Sequence, residues 1–477
     1  MVFSSPDFLF FFLPTTLIVY FVVPNKARNL ILMLASFFFY TAGGGLLVVL
    51  LIISTVTDYA AGRVVAKGLD TGQDHLAKWG VVLSVLVNLA LLGYFKYANF
   101  LVDQLNSLAR PFNIGEIAWT TVILPIGISF YTFQSMSYTI DVYRSRVRPV
   151  SSLWDFALYV SLFPQLVAGP IVRFHEIDHE IRNRKSTTRD FAEGAVRFMF
   201  GLMKKVVIAD SVALIAESTF SLPTGRLTTA GAWLGVLAYT VQIYFDFSGY
   251  SDMAIGLGRM FGFTFPENFR RPYSALSITD FWRRWHVTLS NWFRDYLYVP
   301  LGGSHGDKVS TYRNLGLVFL ITGLWHGANW TYVVWGAYHG VLLIIERVTN
   351  QRPVGDHAPG SWIRRALTFF AVVIGWVLFR AESVSQAWEI LGTMFSANGA
   401  TFPAEIAVAM TTRAQVGLIV GLAATLIPRH FVTGPWLARS SSRLAGVGRL
   451  ALAVMATPYV LALVSSGSFS PFLYYQF

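Results

Sequence analysis

Apolar residues occur along this chain in long runs rather than in the alternating pattern of β-strands. The runs fall near residues 8–23, 30–56, 79–95, 119–140, 153–170, 194–218, 230–258, 314–346, 365–380, 414–427 and 447–465. A run of about 17 to 25 apolar residues is long enough to cross a hydrocarbon core of about 30 Å as a helix. The pattern predicts an all-α, polytopic membrane protein of about ten to twelve transmembrane or re-entrant helices, in a single domain over residues 1–477.

Two of the apolar runs contain helix-breaking residues. Three consecutive glycines at 43–45 divide the second run, and Pro164 and Pro170 interrupt the run 153–170. Backbone without regular hydrogen bonds at membrane depth has to be buried in protein or to face water. We therefore expect broken or re-entrant helices around a cavity.

Composition indicates the same class of protein. Hydrophobic residues make up 54% of the chain and charged residues 13%, and the mean hydropathy is +0.51. The net charge of +11 arises from Lys and Arg in the loops between the runs, so we expect anionic membrane lipids, and no nucleic acid, as partners. Because the chain has no cysteine, disulfides, thiolate metal sites and a cysteine nucleophile are excluded.

The basic loops also predict an orientation in the membrane. Lys and Arg are frequent in the loops 57–78, 141–152, 171–190, 259–313, 347–365 and 428–449, and scarce in 97–118, 219–229, 381–412 and the tail after 465. The positive-inside rule makes the first set cytoplasmic. The runs 153–170 and 314–346 should then enter and leave the membrane on the same side.

The loop 259–313 is predicted to contain a helical segment at the cytoplasmic interface. Apolar residues recur at helical spacing from Phe281 to Pro300, which predicts one amphipathic helix lying on the membrane surface. Trp282, His286 and Leu289 share one face of that helix. We therefore expect the imidazole of His286 to point toward the protein interior.

Three histidines lie in tryptophan-rich sequence: His286 in Phe-Trp-Arg-Arg-Trp-His, His326 in Gly-Leu-Trp-His-Gly-Ala-Asn-Trp, and His339 in Trp-Gly-Ala-Tyr-His-Gly. A histidine inside a membrane is costly unless it lines a polar cavity. Helix geometry puts His326 about 18 Å beyond Asn314, near the middle of the bilayer, where a neutral imidazole can act as a general base. The alternative for each of the three is a structural histidine, hydrogen-bonded to a neighbour or packed in the core.

The other polar residues give weaker signals. Asp246, Asp252 and Asp280 lie beside apolar sequence and could orient a histidine, but structural ion pairs with Arg270, Arg271 or Arg283 are the expected role. His175 and His179 lack the His-Glu-x-x-His order of a helical zinc site, so no metal is predicted. The absence of P-loop, GxGxxG and GxSxG motifs leaves membrane acyl transfer and secondary transport as candidate functions.

Several long segments of the chain resemble motifs of one known family. The segments are Met1–Ser5, Leu124–Gln134, Tyr244–Asp252, Glu267–Tyr273, Phe281–His286, Arg294–Gly303 and Phe472–Phe477. In this order they resemble the membrane-bound O-acyltransferases, in the bacterial branch that acts in alginate O-acetylation. The resemblance implies a fold of transmembrane helices around a central tunnel.

The same resemblance implies an acetyltransferase of the bacterial cytoplasmic (inner) membrane. It would pass acetyl from a cytoplasmic donor, acetyl-CoA, through the tunnel for O-acetylation of an extracytoplasmic polysaccharide such as alginate, with no bound cofactor. An exported SGNH-type acetyltransferase or esterase-like protein would be its partner. Alternatives are D-alanyl transfer to teichoic acid, O-acetylation of peptidoglycan or cellulose and, from a different class, a lipid or proton-coupled transporter.

The resemblance also implies roles for individual residues. His326 matches the catalytic histidine and would act as general base, while His286 matches the second histidine and would position the thioester or protonate the thiolate. Further candidates for the tunnel wall or the donor site are Trp282, Arg283, Trp285, Arg294, Trp325, Asn329 and His339. Trp330 is expected beside Trp325 in the wall.

Overall fold

The computed structural model describes residues 1–350, 360–427, 431–467 and 472–473. Within these ranges the regular secondary structure is helical and contains no β-strand, which confirms the predicted all-α class. The chain divides into two compact units. The first comprises Met1–Phe191 with Leu257–Pro266, and the second comprises Ala192–Gly256 with Glu267–Phe477.

The first unit contains eight α-helices and the start of a ninth within the described residues. They are α1 (Leu13–Val22), α2 (Arg28–Gly44), α3 (Val48–Asp70), α4 (Asp74–Ala109), α5 (Ile128–Tyr143), α6 (Leu153–Ser161), α7 (Phe163–Leu166), α8 (Phe174–Asn183) and α9 (Thr188–Met203), whose residues from 192 belong to the second unit. A π-helical segment, Asp7–Phe12, precedes α1.

Both predicted helix breaks are confirmed. Gly45 ends α2 with φ +56° and ψ −135°, a positive-φ conformation that glycine adopts without steric cost, and the chain turns there into α3. Leu162 separates α6 from α7 in an extended conformation, and Pro164 lies in the first turn of α7. Pro is tolerated at that position because the first amide groups of a helix have no intrahelical acceptor.

A polar cluster is buried among α3, α4 and α5. The carboxylate of Asp58 accepts hydrogen bonds from the hydroxyl of Ser84 and from Nδ2 of Asn88, the second at 2.7 Å. Ser54 Oγ donates to Asn88 Oδ1 at 2.8 Å, and Ser135 Oγ lies 3.4 Å from the same oxygen. All five side chains are buried, so the three helices are joined by polar contacts as well as by apolar packing.

The second unit contains the rest of α9 and the remaining helices of the described chain. They are α10 (Asp210–Ser221), α11 (Thr229–Met260), α12 (Ile278–Trp282), α13 (Val287–Phe293), α14 (Lys308–His326), α15 (Trp330–Val348), α16 (Ser361–Arg380), α17 (Val384–Met394), α18 (Ala404–Ala409), α19 (Thr412–Thr425), α20 (Thr433–Arg439), α21 (Arg443–Ala451) and α22 (Thr457–Ser465). Residues 257–260 of α11 belong to the first unit.

The helices α14 and α15 form a tightly packed hairpin. A Cβ atom on Gly323 would come 2.2 Å from the carbonyl oxygen of Tyr332, and one on Gly336 would come 2.3 Å from that of Phe319. The two glycines therefore let the helix backbones approach closely, as small residues do between membrane helices. Gly340 lies beside Gly316, so the hairpin brings the chain back toward the end where α14 began.

Within the described ranges, four helical stretches are long and apolar enough to cross a membrane: Asn25–Asp70, which turns at Gly45, Asp74–Phe112, Ser361–Arg380 and Arg443–Ser465. They agree with a multi-pass membrane protein. The total of ten to twelve membrane elements, the orientation and the single membrane domain stay predictions.

The predicted interfacial helix is corrected by the structure. In place of one helix from Phe281 to Pro300 there are α12, a turn, α13 and a π-helical segment, Arg294–Tyr298. The break lies at His286, whose backbone is left-handed. The apolar side chains Trp282 and Leu289 are buried in the second unit rather than laid on a surface. Helical spacing of apolar residues persists across the turn, and for this reason the pattern predicted one continuous helix.

Candidate active site

His286 occupies the turn between α12 and α13 and caps the N-terminus of α13. Its backbone has φ +44° and ψ 53°, a left-handed conformation that costs free energy for a residue with a side chain. Two hydrogen bonds hold the turn against the preceding segment. Val287 N–H donates to Asn268 O, and Arg270 N–H donates to Arg284 O, both at 2.9 Å. The surrounding backbone thus maintains the strained conformation.

The side chain of Asn268 also holds His286. His286 Nδ1 lies 3.1 Å from Asn268 Oδ1, and the same oxygen accepts from Thr288 Oγ1 at 2.9 Å and from Thr288 N at 3.3 Å. On its other side, Asn268 Nδ2 donates to Ser251 Oγ at 3.1 Å. Asn268 and His286 are both fully buried. The amide therefore fixes the orientation of the imidazole within the unit.

His326 is the last residue of α14 and lies at the end of the hairpin. Gly327 follows in an extended conformation, and Asn329 begins α15 by accepting a hydrogen bond from Thr331 N at 3.0 Å. The imidazole is buried, with ring centroids 5.0 Å from Trp335 and 5.2 Å from Phe379. The chain leaves the helix directly after the histidine. Its predicted depth in the membrane stays a prediction.

A continuous cluster of rings joins the three histidines. Trp325 lies 6.2 Å from His286 and 5.0 Å from His326, measured between ring centroids. Trp335 in turn lies 5.0 Å from His326 and 5.1 Å from His339. The exposed fractions of His286, His326 and His339 are 0%, 2% and 1%. The structure thus brings together the three histidines that the sequence singled out.

His339 accepts a hydrogen bond at its Nδ1. Trp282 Nε1–H donates to His339 Nδ1 at 3.4 Å, so the ring hydrogen of neutral His339 is on Nε2. Within the described residues, no hydrogen-bond acceptor contacts that Nε2. Gly375 lies beside it, because a Cβ atom there would come 2.9 Å from Nε2. His339 is therefore packed between α12 and α16 and adjoins the cluster through Trp335.

The other predicted site residues fall into two groups. Trp282, Trp285 and Trp325 are buried in the ring cluster, and their role in a tunnel wall stays a prediction. Arg283 and Arg294 are exposed, and Arg294 pairs with the adjacent Asp295 at 2.7 Å.

Asn329 and Trp330 lie at the tip of the α14–α15 hairpin, where α15 begins. Asn329 is partly exposed and donates to Glu382 O at 2.9 Å, which joins the tip to the segment after α16. Trp330 is 53% exposed. Its predicted place in the wall of the acyl path stays a prediction.

The three carboxylates form ion pairs, as expected, but not with the predicted arginines. Asp246 pairs with Lys205 at 2.7 Å, and Asp280 pairs with Arg284 at 2.8 Å. Asp252 lies 2.5 Å from Arg197 and 2.9 Å from Lys204. The Asp280–Arg284 pair is local, one helical turn apart. The partners of Asp246 and Asp252 lie up to 55 positions away in the chain, so local sequence gave no signal for them.

Arg197 also binds Glu267, the residue before Asn268. The guanidinium donates to both carboxylate oxygens at 3.0 Å and 2.6 Å, the bidentate geometry that gives strong charge-assisted bonds. Sequence reasoning assigned no role to Arg197, Glu267 or Asn268. The only signal for the last two was their place in the Glu267–Tyr273 motif. A cavity of about 180 Å³ lies at this network, lined by Arg197, Lys204, Glu267 and Asn268 among others.

No group of three or more His, Cys, Asp or Glu side chains that could hold a metal ion occurs in the part of the chain that the structure describes. His175 Nδ1 instead lies 2.8 Å from Asp141 Oδ2. The absence of a zinc site at His175 and His179 stays a prediction. The ring cluster and its three histidines contain the candidate chemistry of the second unit.

Comparison with known proteins gives consistent matches. The model of the membrane-bound O-acyltransferase family, MBOAT, matches residues 32–379. "Probable alginate O-acetylase AlgI" of Pseudomonas syringae pv. tomato is 51% identical over 375 residues, which cover 78% of this chain and 70% of that protein. The protein of the same name from Azotobacter vinelandii is 46% identical over 456 residues, 89% of each chain. "Peptidoglycan O-acetyltransferase" of Helicobacter pylori is 40% identical over 350 residues, 67% and 65% of the two chains.

Proposed function

The chain belongs to the membrane-bound O-acyltransferase family, and from this premise we propose that it transfers acetyl from cytoplasmic acetyl-CoA toward an extracytoplasmic polysaccharide such as alginate. It is a multi-pass membrane enzyme, an O-acyltransferase. The proposed location is the bacterial inner membrane. The proposed partner is an exported SGNH-type or esterase-like protein. The names of the relatives from Pseudomonas and Azotobacter support alginate as the acceptor.

One observation carries the proposal: His326 is buried at the end of a helix, inside a cluster of aromatic rings. Burial protects a thioester from water, and the end of a helix leaves the histidine beside backbone that can border a passage. Trp325 contacts both imidazoles edge-on, with ring centroids 6.2 Å from His286 and 5.0 Å from His326. In the proposal the two imidazoles act on a single thioester.

The proposed transfer uses His326 as general base. A nitrogen of its imidazole takes the proton of the acceptor hydroxyl while the hydroxyl oxygen attacks the thioester carbonyl carbon. The carbon–sulfur bond breaks, the acetyl group becomes an ester, and the thiolate leaves with the electron pair. The proton held by His326 then returns to the thiolate directly or by way of His286. Acetyl-CoA is a substrate in this scheme, and no resident cofactor takes part.

The exposed arginines support a cytoplasmic site for the donor. Arg283 and Arg294 are both exposed and lie on the segment that contains His286. Guanidinium groups bind phosphates through paired N–H donors. We assign these two side chains to the nucleotide end of acetyl-CoA. Anionic lipid headgroups would bind them by the same chemistry.

Purified protein tests the proposal directly. Detergent-solubilised enzyme, the exported partner and alginate oligosaccharides are mixed with acetyl-CoA labelled in the acetyl group, and label in the saccharide is counted. The detergent makes both faces accessible. We expect label transfer by the wild type and by His305→Ala, which alters an exposed histidine of the same unit. His326→Ala should lose it, by about 10² to 10⁴-fold in rate.

The alternatives predict different results in the same assay. Label on peptidoglycan fragments but not on alginate would change the acceptor. Transfer only from D-alanine bound to a carrier protein would change the donor and the acyl group. Uptake of an unmodified substrate by vesicles, with no label transfer to any acceptor, would indicate a transporter and contradict the enzyme. Normal transfer by His326→Ala would contradict the role of His326.

A further inference from the structure

The geometry around His286 assigns a role to Asn268. We infer that Asn268 is a positioning residue, which keeps His286 in the tautomer that has its hydrogen on Nδ1 and its lone pair on Nε2. This inference rests on the proposed function, because it concerns how His286 meets the acyl donor. It makes neutral His286 a hydrogen-bond and proton acceptor at Nε2.

The assignment of the amide atoms of Asn268 follows from its neighbours. Thr288 N–H donates at 3.3 Å to the same side-chain atom of Asn268 that faces His286, and a backbone N–H needs an acceptor. The other amide atom, Nδ2, lies 3.1 Å from Ser251 Oγ, a hydroxyl that accepts. If the oxygen and nitrogen were exchanged, the amide NH2 group of Asn268 would face the backbone N–H of Thr288, and two donors would meet. The atom facing His286 is therefore the amide oxygen.

An amide oxygen can only accept a hydrogen bond. His286 Nδ1, 3.1 Å away, must then be the donor and must have the ring hydrogen. In a neutral imidazole the other nitrogen, Nε2, has the lone pair. Thus the Nδ1–H tautomer of His286 is the one that satisfies Asn268. Of the two roles expected for His286, this favours positioning the donor or accepting a proton over giving a proton to the thiolate.

His339 shows that the cluster does not impose one tautomer on every histidine. There the donor is Trp282 Nε1–H and the acceptor is His339 Nδ1, so the hydrogen is on Nε2. The two buried rings belong to the same cluster but have opposite donor and acceptor nitrogens. The difference comes from single neighbouring side chains, and Asn268 is the one that decides it for His286.

Asn268 is itself held from several sides. Its backbone carbonyl accepts from Val287 N–H at 2.9 Å, and its neighbour Glu267 is bound through two oxygens by Arg197. Phe269 packs edge-on against Trp285 with ring centroids 5.0 Å apart. A positioning group must be rigid in this way, since a loosely held amide would not fix a tautomer.

Three variants separate positioning from simple structural support. Asn268→Leu keeps the approximate volume and removes both polar atoms of the amide. Asn268→Asp keeps an acceptor oxygen for Nδ1–H and adds negative charge beside the ring. Thr288→Val is the matched control, because it removes a hydroxyl donor to the same oxygen while the backbone N–H of Thr288 still donates. Each purified variant is tested for label transfer across pH, acetyl-CoA binding and thermal stability.

We expect Asn268→Leu to lower the turnover of label transfer by about 10- to 100-fold, the usual effect of removing a partner that orients a histidine. Asn268→Asp should retain more turnover than Asn268→Leu. The acid limb of the pH–rate profile of Asn268→Asp should move to higher pH by about one unit or more, because a neighbouring carboxylate favours the protonated imidazole. Thr288→Val should lower turnover less than Asn268→Leu does, because Thr288 N–H still donates to the amide oxygen.

Two results would overturn the inference. One is an Asn268→Leu protein with wild-type turnover. The other is an Asn268→Asp protein whose turnover is as low as that of Asn268→Leu at every pH, while both variants are as stable as the wild type. If the Asn268→Leu protein is unstable, the turnover and the pH profile of Asn268→Asp test the inference. A wild-type protein that transfers no label would contradict the proposed function instead, so the two failures are distinguishable.

Discussion

His286 and His326 reach the same ring cluster from two segments that are built differently. His326 ends a regular helix of the α14–α15 hairpin, and close contact between glycines sets its place. His286 lies in a left-handed turn between two short helices, held by bonds to Asn268. The first arrangement depends on backbone packing, the second on individual hydrogen bonds. Substitutions far from the chemistry should therefore disturb the two histidines by different routes.

The largest expected effect separates the two histidines by function. His326→Ala should bind acetyl-CoA like the wild type and lose about 10² to 10⁴-fold in transfer rate, because a general base acts only in the chemical step. His286→Ala should weaken both donor binding and transfer. Acetyl-CoA binding and label transfer are measured separately on the purified variants, with His305→Ala as control.

The opposite pattern would remove the distinction between the histidines. If His326→Ala loses donor binding while His286→Ala keeps both binding and transfer, the division of labour is wrong. His286 would then be a structural histidine of the turn.

The next largest expected effect is on stability, and it tests the ion pairs of Arg197 that hold the segment containing His286. Arg197→Met leaves Asp252 and Glu267 without their guanidinium partner. Breaking a buried ion pair by removing one partner typically costs about 3 to 5 kcal/mol of stability. We expect a clear fall in the thermal unfolding midpoint of the detergent-solubilised protein, accompanied by lower turnover.

Arg226→Met is the matched control for this experiment. Arg226 pairs with Glu405 at 2.6 Å, but both side chains are largely exposed, and exposed pairs contribute little to stability. The control should unfold near the wild-type temperature. Equal midpoints for the two variants would show that the network of Arg197 does not support the segment.

A smaller effect tests the support of the hairpin. Gly323→Ala puts a Cβ atom against the carbonyl oxygen of Tyr332, and such overpacking typically costs about 1 to 3 kcal/mol. Gly316→Ala alters the same helix at a position where a Cβ atom meets nothing within 4 Å. We expect Gly323→Ala alone to lower the unfolding midpoint. Because alanine has the higher helix propensity, a Gly316→Ala protein that is equally destabilised would contradict the assignment of the effect to the contact at Gly323.

The smallest effect is a labelling pattern without a change in activity. Ser304, in the loop predicted to be cytoplasmic, and Ser396, in the loop predicted to be periplasmic, are both exposed. The chain has no native cysteine, so single cysteines at these sites can be treated in intact cells with an impermeant thiol reagent. We expect labelling of Ser396→Cys and not of Ser304→Cys. The reverse pattern would invert the predicted orientation and would put the His286 segment on the outer side.

The parts of the fold that the sequence predicted are those set by local rules. Apolar run length gave the helical class, and glycine and proline gave the breaks at Gly45 and Leu162. The three histidines were recognisable because buried imidazoles are rare in apolar sequence. In each case the physical cause lies within a few residues of the position that it determines.

The parts that were missed depend on contacts between distant residues. Asn268 acts on a ring 18 positions away, and Arg197 binds a carboxylate 70 positions away. The left-handed turn at His286 was also missed, because the apolar residues on both sides keep a helical spacing. Nothing in a single sequence distinguishes such a turn from a continuing helix when both bury the same side chains.

The polar cluster of the first unit has a consequence for how the protein is made. Asp58 lies in α3, and the side chains that donate to its carboxylate, Ser84 and Asn88, lie in α4. A carboxylate entering hydrocarbon alone is costly, so α3 is poorly suited to leave the translocon before α4 is synthesised. The two helices should enter the bilayer as a pair, with Ser135 of α5 joining them afterwards. The location of both donors in α4 thus predicts the order in which the helices enter the membrane.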